Sequence, residues 1–192
     1  MTTPHATAAD RVVPFKMAHL VYRCARRAET VAWYMAVFQA KLVFEDNVLT
    51  FITYDDEHHR LAFFNMPGIP DKQSEAAGVH HVAYSYQSVG ELLRTYQRLK
   101  EGGIRPVWCI NHGPTTSLYY RDPEGNDIEL QVDNYPDPAD CAHFFHTETF
   151  ASNPMGIEFD PDGLVAMWEA GASDAELCAL GAARAAEQKG PQ

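Results

Sequence analysis

The chain has 192 residues, 46% of them hydrophobic, and a formal net charge of −11 at pH 7. That length suffices for one domain, or two small modules on a shared core, without disulfide or metal staples. The negative field repels a nucleic-acid backbone and no Lys/Arg cluster offsets it, so nucleic acid is not expected as a partner.

No apolar run reaches the length of a membrane span, and the segment MTTPHATAADRVVPF lacks the apolar centre of a secretory signal, so a cytoplasmic protein without a membrane partner is expected. Four scattered cysteines (Cys24, Cys109, Cys141, Cys178) form no CxxC pair, which argues against zinc ribbons and redox motifs and for reduced thiols.

Residues 1–15, rich in Thr, Ala and Pro, read as a loose arm. MAHLVYRC then reads as a buried strand, and Val31, Tyr34, Met35 and Phe38 fall at helical spacing within 28–38. KLVFED, VLTFITYD and HRLAFFNM are three short runs rich in β-branched and aromatic residues, the pattern of a strand meander.

The order then repeats. After a Pro/Gly-containing linker (67–78) come the strand GVHHVAYSY and a helix over 89–100 with Leu92, Leu93, Tyr96 and Leu99 on one face, stopped by EGG. RPVWCI, TSLYYRD and NDIELQVD follow as strands, the last two joined by DPEGN, whose Pro and Gly suit a hairpin turn. The expected fold is α+β: two βαβββ modules, 16–66 and 78–134, forming one domain with a cleft between two curved sheets. From 135 a Pro-, Asp- and aromatic-rich extension follows, with helices expected over 162–170 and 174–186, serving as a wrap, a cover or a subunit contact.

Six of the nine histidines lie in or beside strand-like runs. Any one alone is more often a satisfied core or surface residue than a ligand. His19 and His81 differ, because they occupy equivalent positions in the opening strands of the two modules, and Glu129 sits in the otherwise apolar run DIELQV, where an unpaired carboxylate is costly to bury. Two imidazoles and one carboxylate on one side of a metal leave adjacent positions open, the arrangement suited to nonhaem Fe(II) chemistry with oxygen.

The duplication with these ligands resembles the vicinal oxygen chelate superfamily over residues 16–133. Within it, NHGPTTSLYYRDPEGNDIE is similar to the motif of type I extradiol ring-cleavage dioxygenases: a His, an apolar residue and Tyr, Asp-Pro, a Gly and the ligand Glu.

The resemblance implies Fe(II), with Mn(II) as alternative, held by His19, His81 and Glu129, with His81 preferred to His80. It implies that His112 and Tyr119 contact oxygen atoms of the bound reactants, and that His59, with His58 as fallback, moves a proton during O–O cleavage. It implies a catechol-type substrate with O2, opened next to its hydroxyls, and membership of the single-domain subgroup; a homo-oligomer associated through sheet edges or the tail is expected besides. Trp33, Phe63, Trp108, Phe144, Phe145 and Phe150 are candidates for an aromatic pocket wall or for plain core. Two other classes compete: a glyoxalase-like isomerase or thiol transferase, which would want a further carboxylate where RLAFFNM has none, and a metal-free protein that binds an aromatic ligand.

Overall fold

The structure is a computed structural model that describes residues 12–73 and 76–184. Most of the expected N-terminal arm therefore lies outside the described residues, and residues 12–15 are exposed with no regular structure. The first module runs β1 (Leu20–Cys24), α1 (Arg27–Phe38), β2 (Lys41–Glu45), β3 (Leu49–Thr53) and β4 (Leu61–Asn65). The second repeats it as β5 (His81–Ser85), α2 (Val89–Glu101), β6 (Trp108–Asn111), β7 (Thr115–Arg121) and β8 (Asp127–Asp133). In each sheet the opening strand pairs in parallel with the last strand, and the remaining pairs are antiparallel, giving the orders β1-β4-β3-β2 and β5-β8-β7-β6. The architecture is the α+β duplication expected from the pattern of runs.

Local chemistry accounts for the elements. Ser88 caps α2 by accepting from the Glu91 amide, the Glu91 carboxylate reaches back to the Gln87 amide, and Leu92, Leu93, Tyr96 and Leu99 are all buried. Gly103, at φ 81°, provides the left-handed turn that ends the helix run. Strand β4 buries Leu61, Ala62 and Phe63 because it lies between β1 and β3, whereas β2, an edge strand, is exposed along its whole length.

One core joins the modules: Tyr34, Ile52 and Phe63 from the first pack in the same cluster as Leu92, Leu118 and Ile128 from the second. The hinge of this contact is aromatic. Phe38 of α1 sits 4.5 Å from Tyr84 of β5, and Tyr54, just after β3, sits 6.1 Å from the same ring, measured between ring centroids. Tyr22 and Tyr84 are equivalent positions of the two repeats, and each influences the other's phenol electrostatically; burial pushes Tyr22 up to about 12 and raises Tyr84 further.

The turn DPEGN ties the modules together with polar bonds. Asp122 accepts from the Tyr34 hydroxyl at 3.1 Å, and Glu124 accepts from the Thr30 hydroxyl at 3.2 Å and from the Arg26 amide. Read from sequence as a hairpin turn alone, this segment is also the bracket that holds α1 to the second sheet.

The extension departs most from expectation. It forms α3 (Pro138–Phe144), α4 (Glu148–Ser152), β9 (Ile157–Glu158), α5 (Pro161–Glu169) and α6 (Asp174–Leu177). The helix expected over 162–170 is present as α5. The one expected over 174–186 begins with a Ser173/Glu176 capping box but stops at Leu177, because Gly181 at φ 90° and a bridge from Phe159 to Arg184 turn the chain back; 185 and 186 lie outside the described residues.

Strand β9 adds to the outer edge of β6, and α5 docks on α2, where Asp162 accepts from the Tyr96 hydroxyl at 2.9 Å and pairs with Lys100. A second correction concerns β1, which starts at Leu20, whose amide donates to the Arg60 carbonyl at 3.0 Å; His19 lies just ahead of the strand and is exposed. No helix among the described residues is long and apolar enough to cross a membrane.

Candidate active site

Alternation along β5, β8 and β7 divides the second sheet into two faces. Val82, Ile128, Leu118 and Tyr120 face the α2 side, while His81, Glu129 and Tyr119 share the opposite face. Tyr119 and Glu129 are direct partners in the β7–β8 register, and Glu129 stands beside Ala83 on β5, one pleat from His81. His81 Nε2 lies 3.0 Å from Glu129 Oε2. The Tyr119 hydroxyl lies 3.1 Å from His112 Nε2, and its ring meets His81 edge-on with centroids 5.2 Å apart. Trp108, opposite Tyr119 in the β6–β7 register, closes the group at 5.0 Å.

Glu129 and Tyr119 are buried, at 5% and 6% exposure, and His81 and His112 are half-buried. Burial first, then the neighbouring Glu129 charge, raises the Tyr119 phenol, which keeps its proton at neutral pH and acts as a donor.

The first module supplies a second group. His59 stacks on Phe51 with centroids 4.5 Å apart, His19 lies 4.6 Å from it, and His58 Nδ1 approaches His59 Nδ1 to 2.6 Å. His59's pKa is lowered by burial and then by the charges that His19 and His58 can carry. It is therefore a neutral imidazole near pH 7, able to take a proton and give it back. So the structure gathers His81, Glu129, Tyr119, His112 and Trp108 on one sheet and His19, His58 and His59 on the other. Among the described residues no three or more His, Cys, Asp or Glu side chains form a group that could hold a metal, and His19 stands with His59 rather than with His81.

Glu129 does show what a cation would do here: its carboxylate is buried, and its ion-pair partner is His81, which balances it only when protonated. A divalent cation would satisfy both at once, so these two residues fit the metal that the resemblance implies.

A cavity of about 570 Å³ between β1, the linker and β5, lined in part by Val21, Arg23, Ile69, Val82 and Asp127, reaches His80 but none of His19, His59, His81, His112, Tyr119 and Glu129. The site reading rests on the side-chain cluster. Of the aromatic wall candidates, Trp108 belongs to the cluster. Phe63 is fully buried against Tyr22 and Tyr34, and Trp33 packs on Tyr34, so both are core.

Sequence reasoning missed the supports of the β6–β7 turn. Asn111 Oδ1 accepts from the Gly113 amide at 2.8 Å and from Asn134 Nδ2 at 3.1 Å, and His112 Nδ1 lies 2.6 Å from the Met155 carbonyl of the extension. An Asn at a strand end hints at such a turn; a backbone carbonyl from a distant segment leaves no signature.

A family model described as the glyoxalase/bleomycin resistance protein/dioxygenase superfamily matches residues 16–130, which cover the first module, the second as far as the middle of β8, and every residue of the two clusters. The chain belongs to that superfamily. Within it, the chain is similar to biphenyl-2,3-diol 1,2-dioxygenase 2 of Rhodococcus globerulus, with 43% identity over 76% of this chain and 77% of the relative. It is also 37% identical to biphenyl-2,3-diol 1,2-dioxygenase 3 of the same organism, over 84% of this chain and 86% of the relative. Among solved structures, the glyoxylase/bleomycin resistance protein/dioxygenase domain from Frankia sp. EAN1pec matches with a TM-score of 0.53 at 15% identity, over 63% of this chain and 99% of that one. That likeness is one of fold. The sequence relatives place the chain with the extradiol ring-cleavage dioxygenases of the superfamily.

Proposed function

We propose that this protein is an Fe(II)-dependent extradiol dioxygenase that opens a catechol-type diol next to its hydroxyls and incorporates both atoms of O2. The observation that carries the reading is the unbroken run His81–Glu129–Tyr119–His112 on one sheet face, a pair of metal donors set directly beside a phenol–imidazole pair. The similarity to two biphenyl-diol dioxygenases supports it and favours a catechol bearing an aryl substituent.

In this reading His81 and Glu129 hold the metal with His19 of the first module, and Mn(II) is the alternative ion. Bound iron supplies one centre on which diol and O2 are held together and through which electrons pass between them. The chain's own residues do the rest. Tyr119 and His112 meet substrate oxygen and help hold the diol as its anion, His112 by taking up a diol proton at Nε2, Trp108 screens the group from water, and neutral His59 takes a proton and returns it at the oxygen that is cleaved, with His58 as its substitute.

A glyoxalase-like reading lacks its further carboxylate, since β4, Leu61–Asn65, carries none. Cytoplasmic placement and homo-oligomeric assembly belong to the same proposal; the four free thiols and the exposed apolar edge of β2 (Leu42, Val43, Phe44) support them.

The test is anaerobic loading with Fe(II) followed by a panel of catechols, biphenyl-2,3-diol included, with O2 consumption and visible absorbance recorded. O2 uptake with a yellow ring-opened acid is expected; an iron-loaded chain that consumes no O2 with any diol ends the proposal. His112→Phe should retain its iron and lose about 100-fold in kcat, the scale of a general acid–base group, as read by metal content and steady-state rate on the same sample.

A further inference from the structure

The turn that carries His112 is gripped by the C-terminal extension from several sides. β9 pairs with β6, placing Ile157 opposite Asn111. Asn111 Nδ2 donates to the Cys178 carbonyl at 2.9 Å. Phe144 covers Gly113 so closely that a methyl group there would fall 2.2 Å from its ring, and a methyl at Gly156 would fall 2.1 Å from the Asn111 carbonyl oxygen. Both glycines have left-handed φ, 98° and 101°, so the two backbones meet where side chains have no room.

At the centre of this grip the Met155 carbonyl lies 2.6 Å from His112 Nδ1. The short turn presenting it is stapled by Asn153, whose Oδ1 accepts from the Gly156 amide at 3.2 Å and whose Nδ2 donates to the Gly156 carbonyl.

A carbonyl oxygen only accepts, so His112 must carry a proton on Nδ1. In the neutral ring Nε2 is then bare, and the one group it meets at hydrogen-bond distance among the described residues is the Tyr119 hydroxyl, which donates to it at 3.1 Å. We infer that the C-terminal extension is a working part of the active site: Asn153 and Gly156 hold the Met155 carbonyl so that it aims the His112 ring and fixes its tautomer, making Nε2 the basic end of the Tyr119–His112 pair. Asn153 is a positioning residue, acting through Met155 and His112. The inference rests on the proposed dioxygenase function only in assigning this pair a part in turnover.

The test uses the full chain labelled with 15N in histidine, before iron loading and at a pH above the imidazole range, with His112 assigned by comparison with His112→Phe. Long-range proton–nitrogen correlations should show a protonated Nδ1 and a bare Nε2 in the parent protein. Asn153→Ala, at an exposed position, should drift toward the tautomer mixture of a free imidazole. With iron, the same variant should lose about tenfold in kcat and keep KM within about threefold, the pattern of a misaimed group rather than a lost binding contact.

Gly156→Ala should do the same more strongly; Asn153→Ala keeps the test open if that variant does not fold. A parent His112 protonated on Nε2, a tautomer unmoved in Asn153→Ala, or a moved tautomer with unchanged kcat would each overturn the inference. The nitrogen spectra decide the ring's state even if no diol is turned over, so failure of the dioxygenase reading and failure of this inference leave different traces.

Discussion

Exchange of Glu129 for Gln is expected to weaken Fe(II) binding by at least about 100-fold and to remove turnover with it, a larger loss than replacing a residue that merely orients a ligand. The metal-free fold should be kept within about 1 kcal/mol. The two halves of the expectation have one cause. Glu129 is buried on the polar face of the second sheet with its charge set against His81. In the metal-free protein that charge contributes little, since burying a pair costs much of what its attraction returns. An amide of the same size removes the charge and can still hydrogen-bond the His81 ring, which is half-exposed to water.

With Glu129 in the proposed ligand set, iron binding would draw on the same charge in the opposite sense: a neutral amide oxygen would replace an anionic donor, and the cation would lose the partner that offsets its own desolvation. Metal content after anaerobic loading and the thermal midpoint of the metal-free chain measure the two halves separately. Full iron occupancy in Glu129→Gln would remove this residue from the ligand set, and a collapse of the metal-free fold would show that the carboxylate is structural.

What could be read in advance follows the range of the forces involved. The repeat strands β1 to β8 and helices α1 and α2 were legible because each is specified by its own run: β-branched and aromatic residues between turn signals, or four apolar residues at helical spacing.

Where a boundary depends on another strand the reading slipped: β1 starts one residue after His19 because pairing begins at Leu20 with the Arg60 carbonyl. Strand β9 has two residues and no pattern of its own, since the free edge of β6 creates it. Likewise α6 ends early through Gly181 and the Phe159–Arg184 bridge, which the apolar spacing of 174–186 does not contain. For the site, side-chain chemistry was visible and backbone chemistry was not: His112 and Tyr119 are residue types with a motif, whereas the Met155 carbonyl could belong to any residue.

Asp122→Ala is expected to destabilise the fold by about 3 to 5 kcal/mol, although this residue is drawn from a surface-type turn and touches none of the candidate site residues. Asp122 is 4% exposed and collects four donors: the Tyr34 hydroxyl at 3.1 Å, the Asn126 side chain and amide at 2.9 and 2.8 Å, and the Glu124 amide at 2.9 Å. Alanine leaves the Tyr34 hydroxyl and the Glu124 amide buried without an acceptor, and it opens the turn that leads directly into β8.

Tyr34→Phe, which removes the donor together with its need for a partner, should cost only about 1 kcal/mol. The double variant should fall short of the sum, because both substitutions act on one bond. Thermal or urea unfolding of the three variants checks this, with a midpoint lowered by about 10 °C for Asp122→Ala. The bracket also bears on the site. It holds α1 of the first module, through Tyr34, Thr30 and Arg26, against the turn from which the strand bearing Glu129 departs. Loosening it therefore moves the two histidine-bearing sheets relative to each other, and iron affinity in Asp122→Ala should fall along with stability. A variant that loses less than about 1 kcal/mol and binds iron as the parent does would show that the modules are held together by their aromatic contact alone.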